Sequence, residues 1–306
     1  MHPIPSPGAA LQRRQALRSF LGVTPALVAI GLFLVLPILI VAAYSLMEAN
    51  PYGGVDRAFS GEAYVSLLFE RQMDDSLAFA DSYLTIALRS LGIAALTTLI
   101  TLSLGFPVAV WLAMQPPRRR GLLIFLITVP FWANLLIRTY AWILLLRGSG
   151  VINNGLLGLG LVDHPLPLLY SDGAVLLGLV YTYAPFVVLP IYATLEKMDM
   201  RLLEAAQDLY AGRLRTLRKV VLPTARPGIL AGAILTFVPC LGAMIAPELL
   251  VGGTRMMLGN LIFRQFADAR NWPFGAALSL VLMAAVMLIL TVYAWRAERL
   301  ARGMGR

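Results

Sequence analysis

The sequence predicts an all-α, polytopic membrane protein, a single transmembrane domain over residues 1–306 with six spanning helices. Three observations carry this. The chain is 59% apolar and only 13% charged, with a mean hydropathy of +0.77, whereas globular chains are roughly 45–50% apolar and about 25% charged. Its charge-free intervals, at 19–47, 90–117, 173–195, 227–247 and 271–295, each exceed the roughly 20 residues that cross a bilayer as a helix. Its basic residues also fall in alternate loops. The composition excludes disorder, a collagen-like chain and a soluble globular enzyme. One cysteine, Cys240, forms no internal disulfide and reads as a small core residue, and His2 and His164 are too few for a Cys/His metal site.

The spans are expected near 20–46, 84–113, 121–146, 173–196, 228–250 and 273–296. The first is too long for a cleavable signal peptide, and no small-residue cleavage site follows it. The second and fourth follow from the charge-free runs, and the third is interrupted only by Arg138. All are too long and too uniformly apolar for barrel strands, which alternate. Pro25, Pro37, Pro107, Pro130, Pro185, Pro190, Pro239 and Pro247 punctuate them. Each removes a backbone donor and tends to bend its helix, either absorbed by neighbouring helices or used in a pathway that opens and closes. Between spans, 151–161 reads as an interfacial helix or turn. The 258–267 stretch has helical spacing, with Leu258, Leu261, Ile262 and Phe266 set against Arg264, Gln265 and Asp268.

Orientation follows from Lys and Arg. The N-terminus, the 114–120 and 197–227 loops and the C-terminus hold 17 of the 25 basic residues, and the opposite loops hold six. The basic side, with both termini, is therefore expected in the cytoplasm. With acids counted, that side comes to +12 and the other to −5; Arg89 and Arg138, within spans, complete the net +9. The high pI is thus a topology signal, and no nucleic-acid partner is expected.

The 197–227 segment is too ordered for a simple loop. Asp199 is placed to cap a helix, 200–210 is rich in strong helix formers, and the stretch is expected to stay helical through Tyr210 until Gly212 stops it. Leu202, Leu203, Ala206, Leu209 and Tyr210 are expected on one face, and the small Ala205 and Ala206 would let a partner protein approach closely. Glu204 suits the start of a helix electrostatically. Arg213, Arg215, Arg218, Lys219 and Arg226 read as a headgroup-facing, topology-fixing cluster.

Glu204-Ala205-Ala206, followed at fixed distance by Val220-Val221-Leu222-Pro223, resembles the EAA loop of permease subunits in bacterial ABC importers. In that family pattern Glu-Ala-Ala is followed after three residues by Gly, and after nine more by Ile, one residue and Leu-Pro. Val220 stands for the Ile, and Tyr210 stands where Gly is expected. Pro130-Phe131-Trp132, Arg138-Thr139-Tyr140-Ala141-Trp142, Gly259-Asn260-Leu261-Ile262 and Asn271-Trp272-Pro273-Phe274-Gly275 are similar to permeases of spermidine/putrescine importers.

The resemblance implies a multi-pass subunit of the bacterial inner membrane, seated in the lipid bilayer, that moves polyamines inward by alternating access. It implies two ATP-binding subunits, a second permease subunit and a periplasmic substrate-binding protein as partners. ATP and Mg would sit on the partner ATPase. No cofactor is expected in this chain, which has no Gly-Lys-Ser/Thr and so no phosphate-cradling loop. The segment carrying Glu204, Ala205, Ala206, Asp208, Leu209, Tyr210 and Gly212, with Leu222 and Pro223 beyond it, would dock on the ATPase.

A candidate solute pathway is formed by Trp132, Arg138, Tyr140, Trp142, Tyr181 and Glu248. The aromatics, with Tyr183, would offer cation–π faces to an ammonium group or serve as packing and interface anchors. Arg138, four residues from both Asn134 and Trp142, would repel a cation and is expected to play a structural role, snorkelling outward or pairing with an acid such as Glu248. Glu248 would attract a cation or only balance Arg138. The outer acids Asp56, Glu62, Glu70, Asp74, Asp75 and Asp81 give weak support for a cationic solute. A stand-alone secondary carrier would show inverted-repeat halves or several intramembrane acids. An enzyme would show a Ser/His/Asp set, a carboxylate pair or a metal constellation. None of these marks is present.

Overall fold

A computed structural model describes residues 22, 24–71, 77–199, 201–253 and 255–303. The N-terminal basic residues and Asp74, Asp75 and Arg306 lie outside the described residues. Among the described residues, six helices are long and apolar enough to cross a membrane. The chain divides into two compact units, one made of residues up to Phe79 and from Gln265 onward, the other of Ala80–Arg264.

In the first unit α1, Thr24–Ser45, is strongly apolar and most of its side chains stay exposed, Ser45 at its end being buried, which suits a helix solvated by lipid. Its turn at Gly31–Val35 is widened to a π turn, with the Leu36 N–H donating to the Gly31 carbonyl. Pro37 follows directly. Proline has no N–H and its ring crowds the carbonyl four residues back, and a wider turn relieves that crowding. Between the first two expected spans the chain holds β1 (Met47–Ala49) paired antiparallel with β2 (Val55–Phe59), then α2 (Glu62–Val65), then β3 (Phe69–Arg71) paired antiparallel with β4 (Leu77–Phe79). These strands are short and mostly exposed, so no hydrophobic alternation announced them. The β1–β2 turn is anchored by the Gly54 N–H on the Arg270 carbonyl at 2.9 Å. The last spanning helix, α12 in the chain order used below, covers Trp272–Gly303. It packs along α1, with Tyr44 and Trp272 ring centroids 6.0 Å apart.

The second unit contains α3 (Asp81–Ala113), α4 (Pro117–Trp132), α5 (Leu135–Leu146), α6 (Val151–Gly158), α7 (Asp172–Leu195), α8 (Arg201–Asp208), α9 (Arg213–Leu241), α10 (Ile245–Val251) and most of α11 (Leu258–Ala267), up to Arg264. Its core is the three-helix contact of α3, α7 and α9, where Leu112, Val187, Ile191, Leu195, Val221 and Ala225 are buried together. Close approach depends on small residues. A β-carbon at Gly228 would lie 2.6 Å from the Pro190 carbonyl oxygen and 2.7 Å from the Ile191 Cα, and one at Gly105 would lie 2.8 Å from Val187 Cγ1. Membrane helices have little hydrophobic drive toward one another, so such backbone contact is what dispersion packing needs.

Two expected spans are each broken. The stretch 121–146 is two helices, because Ala133 and Asn134 are extended (ψ 143° and 136°) and the Asn134 side chain accepts the Leu136 N–H as the cap of α5. Together, α5 and α6 give the candidate crossing Leu135–Gly158. The stretch 228–250 likewise splits: α9 ends at Leu241 and α10 restarts at Ile245. Pro247 sits in the first turn of α10, where no backbone donor is required. Both 151–161 and 258–267 carry the helices expected of them.

Candidate functional site

The 197–227 segment is built by two successive caps. The Asp199 carboxylate accepts the Arg201 N–H at 3.0 Å, so Asp199 starts α8 as expected. At the other end the Tyr210 N–H donates to the Gln207 carbonyl at 2.8 Å and the Ala211 N–H to the Ala206 carbonyl at 2.9 Å. This is the Schellman pattern, which satisfies the last carbonyls of a helix by turning one residue into the left-handed region. That residue is Tyr210, with φ +54°. The expected continuation of the helix to Gly212 is therefore corrected: α8 stops at Asp208, and Gly212 (φ −62°, ψ 156°) caps the start of α9 instead.

This geometry favours glycine at position 210. A side chain in the left-handed region costs about 1–2 kcal/mol that glycine avoids. Tyr210 is 96% exposed, so its ring returns no packing within the chain. Tyr210→Gly should therefore stabilise the segment by about 1 kcal/mol, read as a higher midpoint in thermal or denaturant unfolding of the purified protein. A lowered midpoint would show that the ring makes a contact that outweighs the strain.

The faces of α8 also differ from expectation. Leu203 and Ala206 turn inward, Leu203 onto the core with Met198 and Leu217. Leu202, Leu209 and Tyr210 are exposed, Leu209 to 80%, with Glu204, Ala205 and Asp208 beside them. Of the two alanines only Ala205 is open to a partner, because α8 must bury one face against its own chain to be held in place. Glu204 forms no ion pair among the described residues. A cavity of about 660 Å³ opens between α8 and α9, lined by Leu203, Gln207, Ala211, Leu217, Val221 and Met114 among others. Leu222 and Pro223 stand directly after a π turn at Leu217–Val221, in which the Leu222 N–H reaches back to Leu217. Pro223 stands to that turn as Pro37 does to its own.

The candidate pathway residues do not form one cluster. Trp142 meets Tyr181 edge to face at 5.6 Å. A second group runs from Arg138, 5.8 Å over the Phe131 ring, through Phe131–Phe186 at 5.3 Å to Tyr183–Phe186 at 6.1 Å. Trp132 packs edge-on to Phe125 at 6.5 Å and is 78% exposed, and Tyr140 is 54% exposed. Phe186 was missed because a phenylalanine in an apolar run carries no signal of its own.

The alternative of an Arg138–Glu248 pair is corrected. Glu248 takes Arg264 at 2.8 Å through one carboxylate oxygen and the Asn260 amide at 2.8 Å through the other. Asn260 also donates to the Met244 carbonyl at 2.9 Å. With both oxygens engaged, Glu248 fastens α11 to α10, and Arg138 lies against an aromatic face with its Nε buried and unbonded. Arg89, expected as an intraspan charge, is paired too. It bonds the Asp172 carboxylate and donates to the Met256 carbonyl at 2.7 Å, while Arg255 takes the other Asp172 oxygen at 2.8 Å. The Leu258 N–H completes the join on the Ser90 hydroxyl at 2.8 Å. Together these bonds tie the third turn of α3 and the first turn of α7 to residues 255–258.

Residues 94–306 match the family described as binding-protein-dependent transport system inner membrane component. The chain is 40% identical over 269 residues, 88% of its length and 94% of the relative's, to the spermidine/putrescine transport system permease protein PotB of Escherichia coli (strain K12). It is 36% identical over 268 residues, 88% of its length and 90% of the relative's, to the PotB of Haemophilus influenzae. Its fold is similar to a chain of the crystal structure of a bacterial alginate ABC transporter in complex with an alginate pentasaccharide-bound periplasmic protein. There the TM-score is 0.74 at 16% identity, covering 95% of this chain and 97% of that one. The matched residues take in the α8–α9 segment with its Glu-Ala-Ala and Leu-Pro, and this chain belongs to the family of binding-protein-dependent transport system inner membrane components, the permease subunits of ABC importers.

Proposed function

We propose that the chain is the permease subunit of a polyamine importer, carrying putrescine or spermidine inward while ATP is hydrolysed on separate subunits. The observation that carries the solute assignment is the 40% identity to a spermidine/putrescine permease across 88% of the chain. Its partners are two ATP-binding subunits, a second permease subunit and a periplasmic receptor. Both termini and the α8 segment face the cytoplasm, a reading supported by the 17-to-6 division of basic residues. In this scheme the exposed edge of α8, from Glu204 and Ala205 to Leu209 and Tyr210, seats in a cleft of an ATP-binding subunit. Asp208 and Gly212 flank that edge.

The cap at Asp199 and the Schellman turn at Tyr210 hold α8 at both ends, so a push on it passes to Leu217 and Val221 and along α9 into the three-helix core. Solute would travel beside the aromatic groups, whose faces suit an ammonium ion separated from the next by methylenes. Glu248 is assigned to the fastening of α11, not to the solute. Deleting the gene for this chain should remove high-affinity uptake of radiolabelled putrescine or spermidine, and returning it should restore uptake. Unchanged polyamine uptake with loss of a neutral or anionic solute would overturn the solute and leave the family standing.

A further inference from the structure

We infer that Arg120 is a positioning residue through which movement of α8 reaches α3 and α4, by way of Glu196. Its guanidinium joins the C-terminal ends of α3 and α7 to the start of α4. Nε donates to the Gln115 carbonyl at 2.6 Å, and one Nη donates to the Ala113 carbonyl at 2.9 Å. Ala113 is the last residue of α3, and Gln115 lies just beyond it. The other Nη stands 3.9 Å from a carboxylate oxygen of Glu196, the residue that follows α7. The same oxygen accepts the Tyr192 hydroxyl at 2.6 Å, and Tyr192 is buried in the core shared by α3, α7 and α9. Arg120 itself belongs to the first turn of α4.

Local helix preference explains neither placement. A helix is positive at its start and negative at its end, so a cation in the first turn of α4 and a carboxylate at the end of α7 each oppose their own helix dipole. What they gain lies between helices. The last carbonyls of a helix have no partner within it, and Arg120 supplies one at the end of α3 while its charge offsets that of Glu196. Arg118 and Arg119 are exposed and form no ion pair among the described residues. Of three consecutive arginines only the third turns inward, its side chain 25% exposed.

Glu196 is also the point from which α8 hangs. Between Glu196 and Asp199, whose carboxylate caps α8, the chain makes one short turn. The Glu196 N–H donates to the Tyr192 carbonyl at 2.8 Å and the Met198 N–H to the Leu195 carbonyl at 3.0 Å, while Met198 packs on the core as Leu203 does. A turn held in this way has little slack. Displacing the start of α8 therefore draws on Glu196, and through Arg120 on the end of α3 and the first turn of α4. Leu217 and Val221 take the same displacement into α9, so Arg120 supplies the second of two routes into the membrane helices. Its role rests on the proposed docking of α8 against an ATP-binding subunit.

The test uses the assembled transporter in proteoliposomes and reads radiolabelled putrescine or spermidine taken up per ATP hydrolysed, with retention of the ATP-binding subunit during purification. Arg120→Gln should keep that subunit and its hydrolysis and lower the ratio about fivefold or more. Arg120→Lys, which keeps the charge but loses the planar fork across two carbonyls, should recover part of it. Because Arg120 acts through Glu196, adding Glu196→Gln to Arg120→Gln should lower the ratio no further. If Arg120→Gln does not fold, Tyr192→Phe, which removes only the hydroxyl that holds Glu196, should give a smaller fall in the same ratio. A wild-type ratio in the variant measured, losses that add in the double variant, or loss of the ATP-binding subunit from Arg120→Gln would overturn the role of Arg120. Failure of the wild-type chain to hold an ATP-binding subunit, or to take up polyamine, would instead overturn the proposed function.

Discussion

Glu204→Lys is expected to abolish ATP-driven uptake while leaving the protein in the membrane at its normal level. Glu204 is exposed and pairs with no cation within the described residues, so reversing its charge removes no contact inside the chain. Its effect falls on whatever meets α8. Truncating one side of a buried interfacial charge pair typically costs about 2–5 kcal/mol, and reversal adds repulsion, so assembly with the ATP-binding subunit should fall by roughly 30-fold or more. Ala205→Trp should act similarly by bulk, because Ala205 is the alanine that faces out. Ala206→Trp is the poorer probe: Ala206 is buried against its own chain, and a large side chain there would damage the protein itself. Normal uptake by Glu204→Lys and Ala205→Trp at normal expression would remove α8 from the interface.

The second large effect is expected at Asp172. Its carboxylate is shared by Arg89 and Arg255, and Arg89 is only 19% exposed. Asp172→Ala leaves two guanidinium groups facing one another, one of them largely out of water. Hydrogen bonds to charged groups contribute about 1.5–3 kcal/mol each, and a buried charge deprived of its partner adds to the loss. A net destabilisation of about 2–4 kcal/mol should appear as a clear fall in the unfolding midpoint and in the amount of protein recovered from membranes. Asp172→Glu should recover part of it. If Asp172→Ala unfolds at the wild-type midpoint, the trio is a solvated surface cluster and does not fasten α3 and α7 to the 251–258 segment.

Much of the fold was legible because a bilayer forces a simple code on the chain. Uncharged runs longer than 20 residues have few alternatives to a spanning helix, so α1, α3, α7 and α12 lie where the charges are missing. The breaks at 133–134 and 242–244 were less visible. Their signals are single residues, Asn134 as a cap and Gly242 as a stop, set within apolar runs. The two hairpins before α3 bury too little to leave a periodic pattern. Within the candidate site, the spacing from Glu204 to Pro223 found the segment, and Asp199 found its start. Tyr210 was misjudged because a helix former's propensity says nothing of the turn that must follow, and the left-handed position was read as a helical one. The partners of Glu248 and Arg89 could not be read from sequence. Asp172 lies 83 residues from Arg89, and nothing local selects it over any other acid.

The central claim is that α8 presents its exposed edge to a cytoplasmic ATP-binding subunit. The native Cys240 is fully buried, so a cysteine introduced by Leu209→Cys, at a position 80% exposed, can be addressed selectively. In membranes holding the assembled transporter, a short photoactivatable cross-linker on that cysteine should capture the ATP-binding subunit. The same cysteine should stay unreactive to a membrane-impermeant thiol reagent applied from the periplasmic side. Labelling from the periplasm, or capture of the periplasmic receptor in place of the ATP-binding subunit, would contradict the account.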